Sequence, residues 1–566
     1  MTVDRMSQPA GDGQRMSRQN VMGRHWAIAA GHPLAAQAGV RLLEAGGNAV
    51  DAGVAAGLAL GVVHNDMVSL AGVAPIMIAL AQSGEVTTID GLGTWPSRAS
   101  IEFFREHCNG DLPPGILRTV VPAAPDAWLT ALERWGTRSF PEVATPAFEL
   151  ARDGFPVTPF TATHIQENEA DFGRWPENAA LYLPEGRPLR AGQVLKQPDL
   201  AWSLDVMIQA AQRTGGGRKV GIAAARDAFY RGEIARRILT YHEEHGGLLA
   251  AEDLANYRVR IEPPVSVSFG DLRIYTCGFW SQGPVLAQAL NLLAGEDLRS
   301  CGHNSAAYIH RLTEALKLSF ADRELYYGDP AMVKIPPHLL DPAYARERRA
   351  SIQEGKAWAG FVSREDLAPR EPTAHDTSYV CVVDREGNCF SATPSDPGSD
   401  GPIIPGCGFV ASPRGYQSWL DPAHPSALAP GKRPRLTPNP AIAMKNGRGF
   451  MPFGTPGGDV QCQAMLQVFL NILVFGLPPQ DAVEAPRFAT YAFPDSFWPH
   501  QSYPGRLNLE SRIPSAVGEE LVAWGHKVVW WGDWAWRAGC VCAITLDGEI
   551  RRAAADPRRG AHALAW

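Results

Sequence analysis

Apolar residues recur every three or four positions through "HPLAAQAGVRLLEAGG" (His32–Gly47), the spacing of one buried helix face. The run stops at Gly46-Gly47, a helix-end signal, and Asn48 stands where it can cap a second helix, "AVDAGVAAGLALGVV". That second run is built of Ala, Gly, Val and Leu, is too short to span a bilayer, and reads as a buried helix. "APIMIAL" and "EVTTID" (to Asp90) follow as paired strands. Loop and helix patterns alternate from Pro114 to Phe155. Residues 205–257 read as mostly helical, broken by "RTGGGRK". "PPVSVSFGDLRIYTC" predicts a strand pair, and "SAAYIHRLTEALKLSFADRELYYGDP" (Ser305–Pro330) an amphipathic helix ending at Gly328-Asp329-Pro330. Residues 355–376 are charged, Pro-containing and aperiodic, the composition of an exposed linker.

Past that linker strand patterns dominate. They are "SYVCVVD", "CFSAT", "FVAS", "AIAMKNGRGFMPFG" with an Asn-Gly turn, then the helix "VQCQAMLQVFLNILVFG" and the strands "HKVVWW" and "CVCAITLDGEI". No internal repeat interrupts this order. Helices layered on antiparallel strands predict an α+β sandwich.

Composition narrows the partners. With 566 residues, 45% hydrophobic and 20% charged, the chain can bury a large core. A formal net charge of −7 argues against a nucleic-acid binder and against a polybasic membrane anchor. The nine cysteines are scattered without a CxxC pair, which favours reduced thiols over a disulfide framework or a zinc site. The first twenty residues are polar and lack an apolar signal-peptide core, so the expected location is cytoplasmic and residues 1–22 are expected to be a disordered tail.

Few motifs carry chemistry by themselves. "HEEH" (His242–His245) lacks the HExxH spacing and reads as a solvated helix face, and "TGGGRK" lacks the P-loop pattern. There is no GxSxG elbow and no GxGxxG after a strand. "FGTPGGDVQCQAM" is more informative. Gly457 and Gly458 lie between a strand and a helix, where backbone N–H groups free of Cβ bulk can hold an oxyanion; a tight turn is the plain alternative. Thr377 opens the strand after the linker. Cleavage of Asp376–Thr377 would free an α-amine, with a reference pKa of about 8, beside the Thr377 hydroxyl to act as its base. The plain alternative is a β-branched residue that merely begins a strand.

Taken together and in order, these segments resemble the gamma-glutamyltransferase family of N-terminal-nucleophile (Ntn) hydrolases. The segments are "HPLAAQAG…LLEAGGNAVDA", "FYRGEIARRI…GGLLAAEDLANYRV", "EALKLSFADRELYYGDP", "TSYVCVVDREGNCFSATPS", "LAPGKRPRLTPNPAIAMKNG", "GTPGGDVQCQAMLQVFLNIL", "EAPRF" and "ADPRRGAHA". The resemblance implies a four-layer αββα Ntn-hydrolase sandwich. It implies self-cleavage at Asp376–Thr377 into a large subunit (23–376) and a small subunit (377–566) that together form one domain. Matched residue by residue, Thr377 falls on the catalytic Thr, Ser395 on a second hydroxyl that supports it, and Gly457 and Gly458 on the oxyanion pair. Thr437 replaces the second of two substrate-contacting serines, and Leu436 the first. No metal and no organic cofactor is implied. The expected partners are a small-molecule amide substrate and the two subunits themselves, with no nucleic acid or membrane, and a homo-oligomer is allowed.

The departures from the family pattern bear on substrate. Where the family places an Arg for the glutamyl α-carboxylate, this chain has "DGLGTWP", with Leu92 or Gly93 at that place and Arg98 beyond it. Where it holds the α-amine with an acidic pair, Tyr416 and Gln417 stand, and an expected Asn is Pro397. A buried charge left without its partner costs several kcal/mol. The expectation is therefore an acylase-like amidohydrolase whose acyl group is not a standard gamma-glutamyl. A true gamma-glutamyltransferase or glutathione hydrolase, and an uncleaved, catalytically silent binding homologue, are the alternatives. "VVWWGDWAW" (Val528–Trp536) suits either an aromatic acyl pocket or core packing.

Overall fold

The computed structural model describes residues 18–360 and 377–566. Two seven-stranded sheets organise the chain. In chain order their strands are β1 (Val21–Gly23), β2 (Ala27–Ala30), β3 (Ile76–Ala79), β4 (Val86–Ile89), β5 (Ile261–Glu262), β6 (Val265–Phe269) and β7 (Leu272–Thr276). After residue 376 come β8 (Val380–Val383), β9 (Cys389–Ala392), β10 (Ala441–Lys445), β11 (Arg448–Gly454), β12 (Cys542–Asp547), β13 (Ile550–Ala555) and β14 (His562–Ala565). One sheet runs β14-β2-β8-β9-β3-β4-β5 and the other β1-β13-β12-β11-β10-β7-β6, with every neighbouring pair antiparallel.

Alternation along each strand sorts side chains between two cores. Cys381 and Val383 of β8 meet Ala27 and Ala29 of β2 and Ile442 and Met444 of β10 between the sheets. Val380 and Val382 point the opposite way, into a core shared with helices α1 (Pro33–Glu44), α2 (Ala49–Val63) and α3 (Pro159–Glu167). On the far side, Ile274, Ala441 and Ala443 pack against α4 (Gly283–Leu293), α5 (Ala306–Tyr326) and α6 (Gln461–Leu473). The layers are helix, sheet, sheet, helix, the αββα sandwich expected from the sequence.

Local chemistry explains the helix starts. The Asn48 side chain accepts from the amides of Val50 and Asp51 at 2.9 and 3.0 Å, and Asp51 Oδ2 accepts from the Asn48 amide at 2.9 Å, a reciprocal capping box. All of α2 is buried, as its small residues allow. A Cβ on Gly53 would lie 2.1 Å from Phe390 Cδ1, so glycine at this position sets how closely α2 approaches β9.

Three expectations change. Val21–Gly23 pairs with β13, so part of the expected tail belongs to a sheet; residues 1–17 lie outside the described chain. His242 is buried, and only Glu243, Glu244 and His245 of "HEEH" face solvent. Helix α5 is buried on nearly every side instead of amphipathic, and its charges are paired, Lys317 with Glu314 on the same helix and Arg323 both with neighbouring Glu324 and with Asp459 far along the chain. No described helix is long and apolar enough to cross a membrane.

Burial pushes the imidazoles of His32, His242, His500 and His526 down to about 3. These rings stay neutral in the folded chain but take up protons once unfolded, near pH 6.5. Their contribution to stability is complete above pH 6.5 and is lost as pH falls toward 3. Four such groups give a slope of up to about 5 kcal/mol per pH unit near pH 5. Urea unfolding across pH 4 to 7 should show this loss; a flat profile would mean that these histidines titrate normally in the folded protein.

Candidate active site

The register of the first sheet continues past its regular strands. β8 pairs with β9 as Val380 with Ala392 and Cys381 with Ser391, and the same register brings Thr377 opposite Ser395. On the other side Ser395 bridges to Val73, in register with the β9–β3 pairing. Thr377 shares its parity with Tyr379, Cys381 and Val383, whose side chains face the second sheet. The Thr377 and Ser395 hydroxyls therefore form a cross-strand pair on the inner face, Oγ1 to Oγ 2.8 Å, with both residues buried. Asp376 and the bond preceding Thr377 lie outside the described residues.

Ser395 is fixed by its neighbours. Its amide donates to Val73 O at 3.0 Å, and the Ser69 amide donates to its carbonyl at 3.3 Å. Asp396 adopts φ 94°, a left-handed conformation that costs a non-glycine residue energy and must be held by its surroundings. Ser412 Oγ donates to its carboxylate at 2.5 Å, and Arg414 Nε donates to the other oxygen. Burial pushes the Asp396 carboxyl up, opposed by the Arg414 guanidinium and the Ser412 hydroxyl. Arg414 Nη2 also donates to Ser395 Oγ. His64 Nδ1 lies 3.1 Å from the hydroxyl of Ser378, the residue after Thr377.

The glycine pair sits at the end of β11, in the facing sheet. Gly457 and Gly458 have φ of 121° and 53°, which favours glycine at both. Among the described residues neither donates its N–H to another group, so both amides remain available to an anion. Gln282, the residue before α4, donates to Gly458 O at 2.8 Å and to Thr437 O at 2.9 Å, tying the glycine loop to the Thr437 segment. Gln417 donates to Thr437 Oγ1 at 2.9 Å. Asp459 anchors the loop from below. Arg323 of α5 donates to its Oδ1 at 2.5 Å, and the Ser496 amide donates to Oδ2 at 2.8 Å.

The clamp positions differ from the family pattern in structure as in sequence. Leu92 is a core residue, and a Cβ on Gly93 would lie 1.7 Å from Val121 O, so Gly93 has no room for a side chain; Arg98 is exposed. Tyr416 is buried and stacked on Phe497 with ring centroids 5.0 Å apart. The tryptophan cluster is divided, and Trp531 packs against the core that contains Val460 and Ala464. Trp530 and Trp534 are substantially exposed, and Trp534 lies beneath Arg512. Trp536 approaches the site. Its ring meets His164 and Phe160 of α3 at 5.8 and 6.2 Å, and its carbonyl accepts from Arg559, whose Nη2 lies near Gly457.

Sequence reasoning named Thr377, Ser395, Gly457, Gly458 and Thr437 as candidates, and the fold brings Thr377 to Ser395 and, through Gln282, links Gly458 to Thr437. It missed Arg414, Gln282, Gln417 as a partner of Thr437, and Arg323. No local pattern marks them, because each acts on a residue distant in sequence. Among the described residues, His310, Glu314 and His526 bring possible metal-ligand atoms within 4.8 Å of one another, but the Lys317 ammonium already contacts Glu314.

Two facing antiparallel sheets between helices, with a hydroxyl at a strand mouth on the inner face, define an Ntn-hydrolase fold. Comparison with known proteins specifies the family. The family model for gamma-glutamyltranspeptidase matches residues 35–566, and the chain belongs to that family. It is 37% identical over 518 residues to the Acylase ACY 1 proenzyme of Pseudomonas sp. (strain SE83), covering 89% of this chain and 87% of that one. It is 31% identical to the glutathione hydrolase proenzyme of Escherichia coli (strain K12), covering 93% and 89%. The crystal structure of cephalosporin acylase from Bacillus halodurans superposes with a TM-score of 0.85 at 28% identity, covering 100% of this chain and 99% of that one.

The Arg323–Asp459 pair is buried, so removing one partner strands a charge away from water. Arg323→Met is expected to cost about 3–5 kcal/mol in urea unfolding. Arg24→Met, at an exposed pair with Glu549, should cost less than about 1 kcal/mol. Equal effects at the two sites would show that burial does not set the strength of these pairs.

Proposed function

We propose that the chain cuts itself before Thr377 and then hydrolyses an amide through an ester on Thr377 Oγ1. The observation that carries this reading is the 2.8 Å pairing of the Thr377 and Ser395 hydroxyls on the inner face of one sheet, with two unpartnered glycine amides at the end of a strand in the other. The freed α-amine of Thr377 takes the hydroxyl proton as Oγ1 bonds to the substrate carbonyl carbon. Gly457 and Gly458 N–H groups stabilise the oxyanion. The C–N bond then breaks, the proton passes to the departing amine, and an acyl ester remains on Thr377. Water attacks the ester, gives a proton to the α-amine, and releases the acid with Thr377 restored. Residues up to 376 form the large subunit and residues from 377 the small one, and the substrate is a small-molecule amide.

The acyl group is one without a gamma-glutamyl head. At the positions of the family's clamps, Leu92 and Gly93 are not themselves cations for an α-carboxylate, and Tyr416 and Gln417 are not themselves anions for an α-ammonium. The acylase proenzyme among the relatives supports the same choice.

Intact mass of the purified protein should give two fragments, the second beginning Thr-Ser-Tyr, and Thr377→Ala should stay one chain without activity. A wild type that remains uncut would overturn the reading. Across a panel of amides, glutaryl or small neutral amides should be turned over at least about a hundredfold faster than a gamma-glutamyl anilide, the scale set by several kcal/mol of unpaired head-group charge. Rapid gamma-glutamyl turnover by the cut enzyme would refute the acyl assignment alone.

A further inference from the structure

Gln417 and Thr437 meet beside the glycine loop. Gln282 Nε2 donates to Thr437 O and to Gly458 O, so one amide nitrogen separates Thr437 from the pair assigned to the oxyanion. Gln417 Nε2 donates to Thr437 Oγ1 at 2.9 Å, and both residues are buried, at 0% and 1% exposure. The backbone at Gln417 is held as well. The Ser426 hydroxyl donates to its carbonyl at 3.4 Å and accepts from the Arg435 amide at 3.2 Å. Arg414, on the same turn, is ion-paired with Asp396.

Part of this pair is unused. Among the described residues Gln417 Oε1 has no hydrogen-bond partner, and the Thr437 hydroxyl has no acceptor for its proton. A buried carbonyl oxygen without a donor carries its full desolvation cost, so such an atom marks a place for a partner. Turning the Gln417 amide over does not satisfy the pair. Its Oε1 would then accept from Thr437, and amide hydrogens and a Thr437 lone pair would be left instead. In both orientations the pair presents a donor and an acceptor, neither of them charged. We propose that Gln417 and Thr437 bind the far end of the acyl group, and that this end is a carboxamide. Its oxygen takes the Thr437 O–H, and its N–H goes to Gln417 Oε1. A carboxylate has no hydrogen for Gln417 Oε1, an ammonium has no lone pair for the Thr437 proton, and either charge would be buried against neutral partners. A methyl leaves both protein groups unpaired. No bond forms or breaks at this pair. It selects the acyl group for the amide hydrolysis proposed above, and the inference rests on that reading.

Three nitroanilides of matched chain length test it on the full-length, self-cleaved enzyme: glutaramoyl, glutaryl and an isosteric branched alkanoyl. The ratio of their kcat/KM values cancels any general loss of activity in a variant. Wild type should prefer the carboxamide over the alkanoyl head by at least about thirtyfold and over the carboxylate by at least about tenfold. Gln417→Leu and Thr437→Val should each bring the carboxamide-to-alkanoyl ratio to within about threefold of one. Thr437→Ser, which keeps the hydroxyl, should retain most of the preference. Thermal melts identify variants that fail to fold, and the wild-type ratios stand without them. A carboxamide turned over no better than its alkanoyl isostere, a preference for the carboxylate, or a preference that survives in both folded Gln417→Leu and folded Thr437→Val would each overturn the assignment. A wild type that stays uncut would instead sink the nucleophile reading. A cut enzyme indifferent to the carboxamide sinks only the part given to Gln417 and Thr437.

Discussion

Strand register is the constraint on which the site depends. The pairing of β8 with β9 and of β9 with β3 continues without a slip to Thr377, Ser395 and Val73. Side chains in a sheet alternate faces, so a shift of one residue would turn the Thr377 hydroxyl away from Ser395 and away from the second sheet. The dense apolar packing between the sheets resists such a shift, because every inward residue of β8 and β9 would move outward with it. The stability of the core and the alignment of the two hydroxyls are one property of the fold.

The glycine loop is fixed by a different kind of force. It lies beyond the end of β11, where no ladder holds it, and polar contacts from elsewhere in the chain take over. Gln282 grips its backbone, and Arg323 and Ser496 grip the side chain of the next residue. Buried ion pairs add little net stability because desolvation offsets their attraction. Their geometry is narrow, however, which suits a loop whose amides must point in one direction. The loop and the hydroxyl pair therefore come from different sheets and are held by different physics.

Much of this was legible in the sequence. The Asn48 cap, the hairpin at Asn446-Gly447 and the small-residue helix are local and were readable as such. The order of motifs then implied the sandwich and named Thr377, Ser395, Gly457 and Gly458 as candidate site residues. The failures have physical reasons. His242 is buried because the chain turns back at Gly247 and covers it, which helical periodicity does not encode. Helix α5 carries charges whose partners, such as Asp459, lie far along the chain, so a run of polar residues was read as a solvent face. Trp530 follows a strand pattern but lies on the outermost strand of a small three-stranded sheet, where one side meets solvent, and Trp534 lies in the turn beyond that strand.

The sheet order has a mechanical consequence. β2 lies between β14 and β8, and β13 through β10 are flanked by β1 on one side and β7 on the other. Segments from before and after residue 376 are thus interleaved in both sheets. After a cut at that point the halves cannot drift apart as docked partners do, because separating them means tearing strands from the middle of each sheet. Dissociation and denaturation become the same event, so dilution should leave the nicked molecule whole, and its lifetime is set by the barrier to global unfolding, not by an interface affinity.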